Sequence, residues 1–526
     1  MLFNSSIFAL FFAGFFPLYL LSRRNVFWRN ALLLVFSYLF YGWWDARFLI
    51  LVAISTSVDY MAALGAAGQA VRSIDRLKAT IYLLAVTVIC LAFARRADLW
   101  LLVPVGVFIC LLLGAMLLVD RVPAVRQRRY WLLTSLITNL GILAFFKYFN
   151  FFTHSLAGAL DLIGVQVQPA TLSIILPVGL SFYTFQAISR TIDSYRGEFV
   201  PQRSIMNYAA YHAFFPQLVA GPIERAGHLM PQFEAVRPLT WKLFISGASL
   251  FLWGLYQKVV IADNIAPLAN AVFSDPGAAT AGATIVGILA FTFQIYCDFC
   301  GYSNMARGIA RCLGFDLMAN FDLPYFARTP AEFWRRWHIS LSRWLRDYLY
   351  IALGGNRHGT AAMYRNLMIT MLLGGLWHGA AWTFVAWGAF HGAIQVLYRA
   401  LKIDAALVRV SPASLPGALL HLASWFVTML LVVVGWVFFR APSFAIAVEV
   451  LRHALGSEGF QWQVFLPLVV YVGPLLAVEI LQRFSGIKEA LTVGPFLVRY
   501  TAALSLLLTL LLFSARGGQQ FIYFDF

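Results

Sequence analysis

Residues 367–392 read LMITMLLGGLWHGAAWTFVAWGAFHG, and this stretch decides the fold class. It contains no acid, lysine or arginine, and the apolar run continues to residue 398 between Arg365 and Arg399. About 18 or more uncharged apolar residues suffice to cross the hydrocarbon core of a bilayer. The ionisable exceptions are two histidines, His378 and His391. Ionisable groups at membrane depth are costly and are by default candidates for function.

The rest of the chain has the same character. Hydrophobic residues make up 61% of its 526 positions and charged residues 12%, where soluble domains carry about 25% charged. Apolar runs lie near 5–22, 30–42, 48–67, 79–94, 99–119, 131–146, 171–189, 243–262, 284–306, 367–398, 416–438, 463–481 and 496–514. The length allows about a dozen spans, and no long polar stretch marks a soluble domain. The expectation is an all-α polytopic membrane protein forming one domain over 1–526. Within it, 1–190 is a helical bundle, 190–400 a core with cytoplasmic and re-entrant segments, and 400–526 the last helices and a tail. The first run lacks a basic leader and a small-residue cleavage site, so an uncleaved span is expected.

The net charge of +16 raises a nucleic-acid reading. Its distribution argues against one, because the basic residues sit in short clusters between apolar runs. Arg23, Arg24 and Arg29, then Arg72, Arg76 and Lys78, then Arg121, Arg126, Arg128 and Arg129, then Arg190, Arg196 and Arg203 occupy alternate loops. The positive-inside rule puts these loops in the cytoplasm and the N-terminus outside. The five cysteines lie in apolar runs, and the single Cys297-x-x-Cys300 has no second pair, so buried free thiols are expected rather than a zinc or redox site.

Residues 190–240 are the most polar long stretch. Pro216, Gly221, Pro222 and Pro231 break helices there, predicting short helices or a re-entrant loop. Residues 333–350, FWRRWHISLSRWLRDYLY, mix aromatics with arginines and read as interfacial amphipathic helix. Arg335, Arg336, Arg343 and Arg346 would suit the phosphates of coenzyme A or a phosphopantetheine carrier. They suit anionic lipid headgroups equally well. His338 sits among them. His378, flanked by Trp377, Trp382 and glycines, is the sharper candidate, suited to accept a proton while neutral at rest. His391 reads as structural, and the other six histidines carry no constellation. Asp193 and Asp298 could each orient a histidine or pair with Arg190, Arg196 or Arg307. No Gly-x-Ser-x-Gly elbow, His-Glu-x-x-His metal site or P-loop occurs, so no metal is expected. The hexapeptide Phe521–Phe526, FIYFDF, places one phenol, Tyr523, among apolar side chains; an aromatic interfacial belt is the alternative reading.

At these residues the chain resembles the membrane-bound O-acyltransferase family. The matching segments are LPVGLSFYTFQAISRTIDSYRG, FFPQLVAGPIERAGHLMPQF, QIYCDFCGYSNMARG, FWRRWHISLSRWLRDYLYIALGGNR, YRNLMITMLLGGLWHGAAWTFVAWGAFHG and GWVFFRA, in that order. The resemblance implies about 11–13 transmembrane helices with re-entrant segments around a central tunnel, in a bacterial inner membrane. His378 matches the family's tunnel histidine and His338 its second motif histidine, which faces the donor. Arg335, Arg336 and Trp337 are expected on the donor side. FIYFDF resembles a tail of polymer-acylating members, with Tyr523 as acyl carrier. The implied activity is O-acetylation of an exported polysaccharide, alginate or a similar exopolysaccharide, from acetyl-CoA. A periplasmic partner of the SGNH-hydrolase type would complete the transfer. Alternatives are acylation of peptidoglycan or teichoic acid, and transport of an acyl carrier without chemistry, against which stands the absence of internal repeats.

Overall fold

The computed structural model describes residues 1–93, 121–456, 462–487, 495–515 and 521–522, with isolated positions between 106 and 119. Every regular element among them is helical. Six helical stretches are long and apolar enough to cross a bilayer: Val26–Ala66, Val125–Asp161, Trp241–Ser274, Ala281–Cys312, Leu415–Arg440 and Trp462–Ser485. Ser6–Ser22 and Arg499–Phe513 are apolar but shorter. This is the expected all-helical polytopic architecture. The apolar run near 99–119 lies largely outside the described residues.

The chain divides into two compact units, Met1–Leu239 with Leu313–Leu317, and Thr240–Cys312 with Met318–Phe526. In the first, the helix Leu49–Ala66 is buried at every residue but Leu51. A helix apolar all round belongs in a core, and this one is surrounded by the helices Ser73–Phe93, Ala124–Leu143, Leu180–Arg196 and Ile205–His212. Its one acid, Asp59, is satisfied by Asn139 (2.8 Å), Ser55 (3.1 Å) and Ser135. Arg190, expected as a partner for Asp193 or Asp298, instead donates to the Asp59 carbonyl oxygen at 2.8 Å and stacks over Tyr208. The stretch 205–234 forms three short helices, Ile205–His212, Phe215–Leu218 and Ala226–Glu234, with Gly221 and Pro222 in the break before the last, whereas Pro216 opens the second and Pro231 lies inside the third instead of breaking it.

In the second unit, Trp241–Tyr256 packs along the 32-residue helix Ala281–Cys312. Gly254 and Gly301 set the separation: a Cβ on Gly254 would stand 2.4 Å from the Gly301 oxygen. Without a hydrophobic drive inside lipid, such small-residue faces let helices gain dispersion and close backbone contact. The cysteines are free, with Cys110 exposed and the other four buried.

Candidate functional site

Two expectations about local structure change in the second unit, and both changes build the site. The apolar run 367–398 is two helices, Gly359–His378 and Trp382–Ala400, rather than one. They break at His378–Gly379, where the backbone turns extended. The two helices then cross closely: a Cβ on Gly375 would meet the Phe384 oxygen at 2.2 Å, and one on Gly388 the Met371 oxygen at 2.3 Å. His378 therefore stands at the elbow of a hairpin instead of mid-helix.

The arginine-rich segment is likewise not one amphipathic helix. Pro330–Arg336 is capped by Thr329, whose hydroxyl accepts from the Glu332 N–H. A second short helix, Ile339–Trp344, follows, continued by π-helical turns at Leu345–Tyr350. Between them His338 takes a left-handed conformation, φ +41° and ψ 55°. The residues on either side are clamped to the 320–322 segment. Asp322 N–H donates to the Arg336 oxygen (3.0 Å), Ile339 N–H to the Asn320 oxygen (2.8 Å), and Ser340 Oγ to Asn320 Oδ1 (2.6 Å). A non-glycine residue held at positive φ by such surroundings is strain of a kind that collects at functional sites.

The clamp and the elbow bring together two histidines forty positions apart in sequence. Their ring centroids lie 6.3 Å apart, and both residues are buried, His338 at 0% and His378 at 2% exposure. Aromatic rings form the walls. Phe299 meets His338 edge-on at 4.7 Å, Trp377 lies 5.8 Å from it, and Trp387 and Phe439 meet His378 at 5.1 and 5.3 Å. Burial pushes the His338 imidazole down to about 3, so the ring is neutral. His338 is thus a core residue, not a side chain on an interfacial helix.

The expected donor-side residues are not gathered on one face. Arg335 is exposed, as are Arg343 and Arg346. Arg336 is bound to Glu332 at 2.9 Å and donates to the Asp322 oxygen at 2.9 Å. Trp337 is fully buried, stacked on Phe333 at 5.6 Å and packed against Trp436 at 4.8 Å. His391 lies behind Trp387 at 4.8 Å and against Trp334 at 5.3 Å, a packing position. Tyr523 lies outside the described residues; Phe521 and Ile522 before it are buried.

Three groups escaped the sequence reading. Lys258 pairs with both Asp263 and Asp298 inside apolar runs, and its isolation in KVVIAD was the available signal. Asn320 carries no motif and is identified only by the clamp. In the first unit, His228 stands between Asp316 (3.6 Å) and the buried Glu224 (2.8 Å), legible only as a Glu–His pair four apart.

Two buried histidines walled by aromatic rings fit transfer of an acyl group, in which a neutral imidazole can accept or donate a proton. The chain matches the family model described as MBOAT, membrane-bound O-acyltransferase family, over residues 180–403, which includes both histidines. It belongs to the membrane-bound O-acyltransferase family. It is 41% identical over 452 residues to the probable alginate O-acetylase AlgI of Azotobacter vinelandii, covering 85% of this chain and 76% of that protein. To the probable alginate O-acetylase AlgI of Pseudomonas aeruginosa it is 40% identical over 466 residues, covering 88% and 76%. To the peptidoglycan O-acetyltransferase of Helicobacter pylori it is 37% identical over 358 residues, covering 63% and 66%.

Proposed function

We propose that this protein is the membrane acetyl-transfer component for O-acetylation of an exported polysaccharide, alginate or a similar exopolysaccharide. The buried His338–His378 pair is the observation that carries the reading. Relatives named for alginate acetylation cover most of the chain, whereas the peptidoglycan relative covers less of it and is less identical. The donor is an acetyl thioester, acetyl-CoA, with the exposed Arg335 and Arg343 suited to its phosphates. An acceptor hydroxyl oxygen attacks the thioester carbonyl carbon and the C–S bond breaks. The hydroxyl proton passes to a histidine nitrogen and from there to the departing thiolate sulfur.

The two imidazoles suit different parts of this step. An imidazole pushed down to about 3 is a poor proton store, so His338 fits a neutral N–H donor to the carbonyl oxygen. His378, at the elbow, fits the proton acceptor. Tyr523 is the acceptor hydroxyl, its phenyl ester passing acetyl outward to an SGNH-hydrolase-type partner. A phenol, with a pKa near about 10, leaves more readily than an alkyl alcohol, which suits a relay.

His378→Ala is the direct test. General-base roles contribute roughly 10²–10⁴-fold, so polymer acetylation in cells should fall at least a hundredfold with protein amount unchanged. Wild-type acetylation in that variant would refute the assignment.

A further inference from the structure

Asp298 lies midway along Ala281–Cys312, 2% exposed, in a stretch apolar enough to lie within the membrane. Its two oxygens have different partners. Oδ1 stands 2.7 Å from Lys258 Nζ, which also meets Asp263 Oδ1 at 2.8 Å. Oδ2 accepts a 2.7 Å hydrogen bond from the backbone N–H of Ile522, 224 positions away in sequence. We propose that Asp298, held by Lys258, is the receptor that seats the Phe521–Ile522 segment beside the histidine pocket, and is thereby a positioning residue for acyl transfer. The positioning half rests on the acetyl-transfer reading above; the seating half does not.

Charge argues for a receptor rather than a structural pair. One ammonium facing two carboxylates leaves a negative charge in excess, and a buried carboxylate needs further donors. The Ile522 N–H supplies one as a charge-assisted bond, stronger than one between neutral groups. It reads the position of the main chain and is indifferent to the side chain.

Packing places this contact at the pocket. Phe521 is fully buried, its ring 4.8 Å from Tyr302 and 6.1 Å from Phe299. The same Phe299 ring meets His338 edge-on. The chain is also pinned seven residues earlier. Ala515 N–H donates to the Val259 oxygen at 3.1 Å, and Asn264 Nδ2 to the Phe513 oxygen at 2.8 Å. Val259 sits in the π-helical turns Gln257–Ala262, one residue from Lys258. Such π segments leave regular helix pairing and collect at functional sites. One interrupted helix therefore supplies both the carbonyl that catches Ala515 and the ammonium behind Asp298.

The test uses the full-length protein with its native acetylation partners and three variants. Ile522→Pro removes the donor N–H, Ile522→Ala keeps it while removing the side chain, and Asp298→Asn leaves Lys258 balanced by Asp263 alone. Hydrogen–deuterium exchange of the peptide spanning 515–526 reads the seating, and polymer acetylation reads the positioning. Loss of the hydrogen bond in Ile522→Pro, and loss of the acceptor's charge in Asp298→Asn, are expected to loosen the segment and lower acetylation, by on the order of tenfold or more in the proline variant and by less in the asparagine variant. Ile522→Ala should exchange more slowly over 515–526 than Ile522→Pro and should acetylate more polymer. Wild-type exchange in Ile522→Pro, or equal losses in the proline and alanine variants, overturns the seating. A loosened segment with wild-type acetylation overturns the positioning role. Should Asp298→Asn fail to fold, the proline–alanine comparison decides alone. If acetyl transfer itself is misassigned, His378→Ala leaves acetylation intact while the exchange measurements still decide the seating.

Discussion

Substitutions at His338 separate the work of its backbone from that of its ring. In the left-handed region a side chain costs about 1–2 kcal/mol, a cost that glycine escapes. The ring is fully buried against Phe299 and Trp377, and truncating a large buried side chain costs about 3–5 kcal/mol. His338→Ala loses the packing and retains the strain. His338→Gly loses the same packing but relieves the strain, offset by about 0.5–1 kcal/mol for glycine's freedom in the unfolded chain. Glycine should therefore be the more stable of the two by up to about 1.5 kcal/mol, the reverse of the order inside a regular helix. His338→Asn tolerates the left-handed backbone and keeps an N–H donor. It should retain part of the acetylation that alanine and glycine lose. Thermal unfolding of purified protein in detergent, with polymer acetylation in cells, measures both. Alanine more stable than glycine would refute the strain, and wild-type acetylation in His338→Ala would remove the residue from the reaction.

Three further outcomes follow from other parts of the molecule. The Asp316 and Glu224 carboxylates raise His228 to about 10 from an ordinary 6.5; that stabilisation is complete below pH 6.5 and is lost as pH rises through 10. His228→Gln should thus lower the unfolding temperature at pH 6 and have little effect above pH 10, and an equal deficit at both would contradict the ion-pair account. Gly254→Val would drive a side chain into the Gly301 carbonyl, whose oxygen is 2.4 Å from the Cβ position. Overpacking costs about 1–3 kcal/mol, and an unchanged unfolding temperature would show that the two helices can separate without cost. Tyr523→Phe keeps the ring and removes only the oxygen, so a relay predicts loss of polymer acetylation at normal protein levels, while an anchoring tail predicts the wild-type amount.

The amino-acid sequence by itself determined the membrane class, because an apolar run such as 416–438 has a single favourable solvent and needs no partner to declare it. It also singled out His378, since an ionisable residue among apolar ones stands out by local contrast; His338, lying among arginines, was marked only by the ordered motifs that carried the family. What only the tertiary structure decided depends on contacts between distant residues. The elbow at His378 exists because Gly375 and Gly388 allow two helices to cross where periodicity alone reads one run. The burial of His338 and Trp337 follows from the clamp to Asn320, whereas the arginines around them read as a surface helix. Arg190 found a main-chain carbonyl and a tyrosine ring, and Asp298 a lysine forty positions away, because buried charges are partnered where desolvation can be shared in three dimensions, not where opposite charges are close in sequence.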